Sequence, residues 1–241
     1  MKKLILSLLM VCTIVPVFSQ NKLSEEQKKE GWKLLFDGTN LNSFRGLHKN
    51  ENVFKGWTVE NGCMKTLQPG NDEAGGALIT KKKYADFEFQ WDWKMESKGG
   101  NSGVKYYVLE ELSDSKKSGI GLEYQMLDDN NHEWMLNGKM QSGDFHTLGA
   151  LYEIYPAKNR KINPLDEWNT SRIVSKNNHV EHWLNGVEIL EYERGSADFK
   201  EKVANSKFSM YPGFGEAKKG HILIQDHGSV MYFKNLFIRE L

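Results

Sequence analysis

Past residue 86 the chain is dominated by alternation of apolar and polar residues. Phe87, Phe89, Trp91, Trp93 and Met95 fall on one side of an extended backbone and Glu88, Gln90, Asp92 and Lys94 on the other, the period-two pattern of a half-buried antiparallel strand. Comparable segments follow at Gly103–Leu109, Gly121–Leu127, Leu148–Ile154, Arg172–Ser175, Val180–Leu184, Val187–Tyr192, His221–Gln225 and Met231–Ile238. Turn residues separate them: Gly99-Gly100-Asn101, Lys176-Asn177-Asn178, Asn185-Gly186 and His227-Gly228. Asn185-Gly186 between two strand-like runs is the strongest hairpin signal. Many short strands at such spacing predict an all-β sandwich or jelly roll of antiparallel sheets.

Helical period occurs only at the start. Leu23 to Gly31 predicts one short helix, with Ser24 and Gln27 at capping-box spacing, Glu25 and Glu26 in the first turn and Gly31 as a stop. Ahead of it, Met1-Lys2-Lys3, an apolar run from Leu4 to Val17 and a small-residue Ser19 form a signal-peptide pattern. A spanning helix needs about 20 apolar residues. Residues 1–19 are therefore expected to be an export signal, and residues 20–241 one domain of a periplasmic or extracellular protein with no membrane insertion.

Composition narrows the partners. Loss of Lys2 and Lys3 takes 32 basic and 32 acidic residues to 30 against 32; a nearly neutral chain disfavours nucleic acid and anionic membranes. Cys63 is left as the one cysteine outside the signal, so no internal disulfide forms and packing must hold the fold. Aromatic residues make up 12% of the chain, with seven Trp: core material mostly, and platforms for sugar rings where exposed.

Candidate chemistry follows from the strand faces. In Leu122-Glu123-Tyr124-Gln125-Met126, the apolar positions face a core, which puts Glu123 and Gln125 together on the opposite side. Lys105 and Tyr107 share a face of the segment that begins at Asn101, opposite Val104 and Val108. If the two strands lie in one concave sheet, these side chains form a polar site; otherwise they are solvated outer faces. Glu181 and Trp183 oppose Val180, His182 and Leu184, and His182 reads as a hydrogen-bonded core histidine. Gln225-Asp226-His227-Gly228 closes a strand in a turn, where polar groups either meet a ligand or stabilise the turn. Asp128, Asp129 and His132 are close enough in sequence to suggest a calcium-like site, but no ligand spacing of a known motif accompanies them. Long irregular stretches at 128–147 and 157–169 are where binding residues tend to lie.

The segments Phe36–Phe44, Gly100–Tyr107, Leu122–Asp129, Leu148–Ile154, Glu167–Asn169, Val180–Gly186 and Gly220–Gly228, in that order, resemble the 3-keto-disaccharide hydrolase domain family of secreted bacterial proteins. The resemblance spans about Gly31 to Leu241 and implies a concanavalin A-like sandwich acting on glycosides whose glucose unit carries a ketone at carbon 3. Such a ketone acidifies the hydrogen on carbon 2, so one base can start β-elimination of the carbon-1 leaving group. On that basis Glu123 is the expected base, with Lys105, Gln125 or a divalent metal stabilising the enolate. Asn101, Tyr107, Glu181, Trp183, Gln225 and His227 are expected to hold the sugar. Lys105 and Tyr107 depart from the Phe and Arg found at this turn in many members. A non-catalytic sugar-binding module is the alternative; ordinary two-carboxylate glycoside hydrolysis ranks behind both.

Overall fold

The computed structural model describes residues 20–49, 54–68, 76–112 and 119–241. The export signal expected over residues 1–19 lies outside them. Among the described residues the strands in chain order are β1 (Lys33–Leu34), β2 (Phe44–Gly46), β3 (Trp57–Glu60), β4 (Cys63–Thr66), β5 (Leu78–Thr80), β6 (Phe87–Met95), β7 (Asn101–Leu109), β8 (Ile120–Leu127), β9 (Asn169–Lys176), β10 (His179–Leu184), β11 (Val187–Glu193), β12 (His221–Ile224) and β13 (Met231–Glu240). They form two antiparallel sheets: an eight-stranded one in the order β11-β10-β9-β6-β13-β4-β3, with β1 also paired to β13, and a five-stranded one in the order β2-β5-β12-β7-β8. This is the sandwich that the alternating pattern predicts.

The alternation explains why the sheets stack. Phe87, Phe89, Trp91, Trp93 and Met95 of β6 are buried against Val104 and Tyr106 of β7 and Leu122, Tyr124 and Met126 of β8, while Gln90, Asp92 and Lys94 stay partly solvated on the other face. Burial of a large apolar side chain contributes roughly 1.5–3 kcal/mol, so these facing rows carry much of the stability. A single buried cysteine, Cys63, adds no cross-link among the described residues. Asn185 (φ 49) and Gly186 (φ 79) adopt the left-handed conformations of a two-residue hairpin between β10 and β11.

Three α-helices occur among the described residues, α1 (Glu25–Lys29), α2 (Glu133–Leu136) and α3 (Ala197–Ala204), together with short 3-10 turns at Glu110–Leu112, Asp129–Asn131 and Lys207–Met210. In α1 the Ser24 hydroxyl accepts from Gln27 N at 3.1 Å, and the Gln27 side chain accepts from Ser24 N at 2.9 Å. The expected capping box is present. α2 lies in the long connection after β8, and α3 follows β11; the alternation pattern predicted neither.

One predicted strand does not form. Residues 148–154 turn instead, because Gly149 (φ 77) and Glu153 (φ 68) take left-handed conformations that interrupt an extended ladder. Between them the chain still dresses the free edge of β8: Gly149 N donates to Gln125 O at 2.8 Å, Gln125 N to Ala150 O at 3.1 Å and Tyr152 N to Glu123 O at 3.0 Å. Covering an edge strand in this way satisfies groups that would otherwise template pairing with another chain. Among the described residues no helix is long and apolar enough to cross a membrane.

Candidate active site

β7 and β8 pair directly, with Lys105 opposite Glu123 and Gly103 opposite Gln125. Val104, Tyr106, Leu122, Tyr124 and Met126 point into the core, so Asn101, Gly103, Lys105, Glu123 and Gln125 project from the outer face of the five-stranded sheet. Lys105 Nζ lies 3.4 Å from Glu123 Oε2 and donates to Gly119 O at 3.2 Å. Both side chains are nearly buried, at 11% and 8% exposure, so the pair stands on the floor of a cleft where its attraction is screened less than at a surface.

A row one pleat further along completes the floor. Gln125 Nε2 reaches Asn101 Oδ1 at 3.5 Å. Gln225, just past β12, donates its backbone N to Gly103 O at 2.9 Å, and its Oε1 is buried without a hydrogen-bond partner among the described residues. Gly103 has no side chain, and the Glu123 and Gln225 side chains close over its Cα. A buried acceptor without a donor costs about 1–3 kcal/mol, a deficit that a ligand hydroxyl would relieve.

The cleft measures about 450 Å³, and Asn101, Lys105, Glu123, Gln125, Gln225 and His227 all line it. Six of the nine catalytic and sugar-contacting residues expected from sequence thus converge. The long connection 128–147 supplies one wall through Trp134, Met140 and His146, and the turn after α3 supplies another through Lys207, Phe208 and Tyr211.

Three expectations fail on geometry. Tyr107 does not share the face of Lys105, because the β7–β8 register shifts between Tyr106 and Leu109 and Tyr107 takes φ 53. The extra residue of this bulge reverses the alternation: Tyr107 turns into the core, where its hydroxyl donates to Ala85 O and meets Ser175 Oγ, each at 2.7 Å. Val108 goes outward, into a small apolar cluster with Leu47, Ile79 and Leu223. Glu181 and Trp183 do lie opposite the buried Val180, His182 and Leu184, but β10 belongs to the eight-stranded sheet, so they face away from the cleft. There Trp183 Nε1 donates to Glu181 Oε2 at 2.7 Å and the Arg172 guanidinium stacks 4.2 Å from the Trp183 ring.

The residues suggested for metal binding are likewise occupied. Asp128 accepts from Gly99 N at 2.9 Å and from Asn131 Nδ2 at 2.8 Å. Asp129 accepts from Leu148 N at 2.8 Å and pairs with Arg160; burial raises its carboxyl above the ordinary range against the pull of that arginine. His132 lines the cleft, and its Nδ1 accepts from Trp134 N at 3.3 Å to cap α2. Among the described residues no three His, Cys, Asp or Glu side chains converge on a point that could hold a metal ion.

What sequence reasoning missed is the far wall. Tyr152 lines the cleft from the segment bonded to the edge of β8, and Lys207 Nζ sits 4.2 Å above its ring and 3.3 Å from Glu153 Oε1. His146 packs edge-on to Tyr152 with ring centroids 5.1 Å apart; its Nδ1 lies 2.6 Å from Asp144 Oδ1 and its Nε2 3.2 Å from Glu153 Oε1. Burial raises the Tyr152 phenol above its ordinary value, with Lys207 opposing. Burial works against the Lys207 charge, but Tyr152 and Glu153 outweigh it and hold its ammonium above the usual lysine value. Tyr152 lies within the family-like segment 148–154, but the alternation that predicts a strand there carries no sign of the turn that bonds Tyr152 to Glu123.

Residues 31–239 match the family model described as 3-keto-alpha-glucoside-1,2-lyase-like domain. The chain belongs to that family. A Bacteroides thetaiotaomicron relative named 3-keto-disaccharide hydrolase is 33% identical over 235 residues, covering 88% of this chain and 79% of the relative. The crystal structure of a candidate glycosyl hydrolase from Parabacteroides distasonis superposes with TM-score 0.82 at 35% identity, covering 92% of this chain and all of that one. A second protein so described, from the same organism, superposes at 0.64 with 27% identity over 87% of this chain and 99% of its own. Family membership makes this chain a glycoside-cleaving enzyme and decides against a purely sugar-binding module.

Proposed function

We propose that the enzyme cleaves glycosides whose glucosyl unit carries a ketone at carbon 3, by β-elimination that starts at Glu123. The observation that carries this reading is the Glu123–Lys105 pair, a carboxylate and an ammonium 3.4 Å apart on the cleft floor. Removal of the carbon-2 proton needs one base and a positive or hydrogen-bonding group for the enolate that develops at the ketone oxygen. Glu123 supplies the first. Lys105 supplies the second, while Gln125, Gln225 and Asn101 offer amide groups to the sugar hydroxyls. A two-carboxylate glycosidase would instead place two acids about 5–10 Å apart across the scissile bond; the cross-strand neighbour of Glu123 is a lysine.

The electron pair of the carbon-2 hydrogen bond becomes the carbon-1 to carbon-2 double bond as the glycosidic carbon–oxygen bond breaks. Water can then add across that double bond, hydroxyl to carbon 1 and proton to carbon 2, giving the free 3-keto sugar. Stopping before or after water addition accommodates both the lyase-like description of the family and the hydrolase name of the relative. Export to the periplasm or beyond rests on the N-terminal pattern of residues 1–19 and is tested by sequencing the N-terminus of the secreted product.

Incubation with a 3-keto-glucoside in deuterium oxide, following aglycone release and deuterium at carbon 2, tests the reaction. Release with deuterium incorporation is expected. Neither release nor incorporation, with or without added divalent metal, would sink the proposal.

A further inference from the structure

Elimination from an alkyl or sugar glycoside expels an alkoxide, and the Glu123–Lys105 floor accounts for the base and the enolate but not for a proton to that leaving oxygen. Tyr152 is placed to supply it. Its backbone N bonds Glu123 O, so it stands beside Glu123 on the side away from Lys105, one strand spacing off, about 4.7–4.9 Å between backbones. Its side chain lines the same cleft. Glu123 is thus flanked by Lys105 on the paired strand β7 and by Tyr152 on the turning segment bonded to the free edge of β8.

The surroundings of Tyr152 are built. Lys207 Nζ lies 4.2 Å over the ring and is itself anchored 3.3 Å from Glu153 Oε1. Glu153 is held in turn by His146 Nε2 at 3.2 Å, and His146 by Asp144 at 2.6 Å. Such a chain fixes an ammonium against a phenol, where it favours transient phenolate. The phenol carries its proton in the resting enzyme, since burial raises it, and has it to give as the alkoxide forms.

We infer that Tyr152, positioned by Lys207, is the acid that protonates the departing glycosidic oxygen, an inference that rests on the elimination reading. As Glu123 takes the carbon-2 proton and the carbon-1 to oxygen bond breaks, the Tyr152 O–H proton passes to the leaving oxygen, leaving a phenolate beside Lys207. During water addition the phenolate takes a proton from the attacking water, whose oxygen bonds carbon 1, and protonated Glu123 returns its proton to carbon 2. Both groups end as they began, one water is consumed, and nothing is oxidised or reduced.

The test compares leaving groups. Tyr152→Phe keeps the ring under Lys207 and removes only the hydroxyl, and Lys207→Met removes the ammonium. Turnover of methyl 3-keto-glucoside by Tyr152→Phe should fall about 100-fold or more, while 4-nitrophenyl 3-keto-glucoside, whose phenolate leaves without assistance, should lose less than about threefold. Lys207→Met should show the same preference in weaker form. Deuterium exchange at carbon 2 of free 3-keto-glucose, which needs no leaving-group acid, should persist in both variants. Equal losses on the two substrates with exchange retained would overturn the role of Tyr152 and leave the elimination intact. A wild-type enzyme that neither exchanges nor cleaves would overturn the elimination reading and this assignment with it.

Discussion

A Cβ built on Gly103 stands 2.4 Å from Glu123 Oε1 and 3.1 Å from Gln225 Oε1. The backbone of Gly103 is not in the left-handed region, so the glycine serves space rather than conformation: it lets the carboxylate lean across β7 toward Gln225. Gly103→Ala should therefore fold, since alanine in a strand restricts the unfolded chain and offsets part of the crowding. It should also push Glu123 off its position, and a displacement of about 1 Å can cost about 100-fold in rate. The expected result is a melting temperature close to the parent's with turnover reduced at least about tenfold. Full turnover would show that Glu123 need not occupy this position.

Glu123→Gln and Lys105→Met separate base from electrostatic partner. Glu123→Gln keeps the shape and removes the proton acceptor, and a positioned base typically contributes about 10²–10⁴-fold; deuterium exchange at carbon 2 should vanish along with cleavage. Lys105→Met should slow exchange and cleavage together while KM changes less, because the ammonium acts mainly on charge that develops after the proton leaves. A variant lacking Lys105 that exchanges at the parental rate would remove the enolate role from this residue.

Tyr107→Phe distinguishes the core position found here from the sugar-contacting one expected from alternation. The hydroxyl bridges Ala85 O on one side and Ser175 Oγ of the facing sheet. Its loss leaves those buried groups short of a partner and should cost about 1–3 kcal/mol in urea unfolding, with kcat/KM unchanged. Trp183→Ala should likewise leave kcat/KM alone, since it strips an Arg172-stacked ring from the outer face of the other sheet. A large fall in kcat/KM without loss of stability in either variant would contradict the placement.

These residues show where a sequence is legible and where it is not. Alternation predicts β6 over Phe87–Met95, where it is found, because five large apolar side chains on one parity admit one register. Lys105, Glu123 and Gln125 likewise share the one face that alternation predicts, since parity along β7 and β8 is unbroken that far. Two residues beyond Lys105 a bulge reverses the parity, and nothing in Tyr106-Tyr107-Val108 announces which of the two tyrosines is the extra one. For Trp183 the strand and its face follow from alternation, but which sheet β10 joins is a matter of long-range pairing. Tyr152 and Lys207 meet across 54 intervening residues, through a turn and a short helical segment that alternation does not describe.

His182 links the core to the cleft and sets an acid limit on the fold. Fully buried, it meets Gly149 O through Nδ1 and the Tyr106 hydroxyl through Nε2, both at 2.8 Å. The carbonyl can only accept, so Nδ1 carries the hydrogen, and Nε2 accepts from Tyr106. Burial lowers its pKa from 6.5 to about 4, against the bond to Gly149. The unfolded chain therefore takes up a proton below about pH 6.5 that the folded one refuses until about pH 4. This contribution to stability is whole above pH 6.5 and is lost as pH falls through that window, amounting to about 3 kcal/mol. In urea unfolding at pH 7 and pH 4.5, the wild type should lose stability on acidification by about 2–3 kcal/mol more than His182→Asn. Because Gly149 begins the segment that carries Tyr152, the same variant should loosen that wall and raise amide exchange at residues 149–152. Parallel acid sensitivity in the two proteins would show that the imidazole is not the group whose protonation the fold resists.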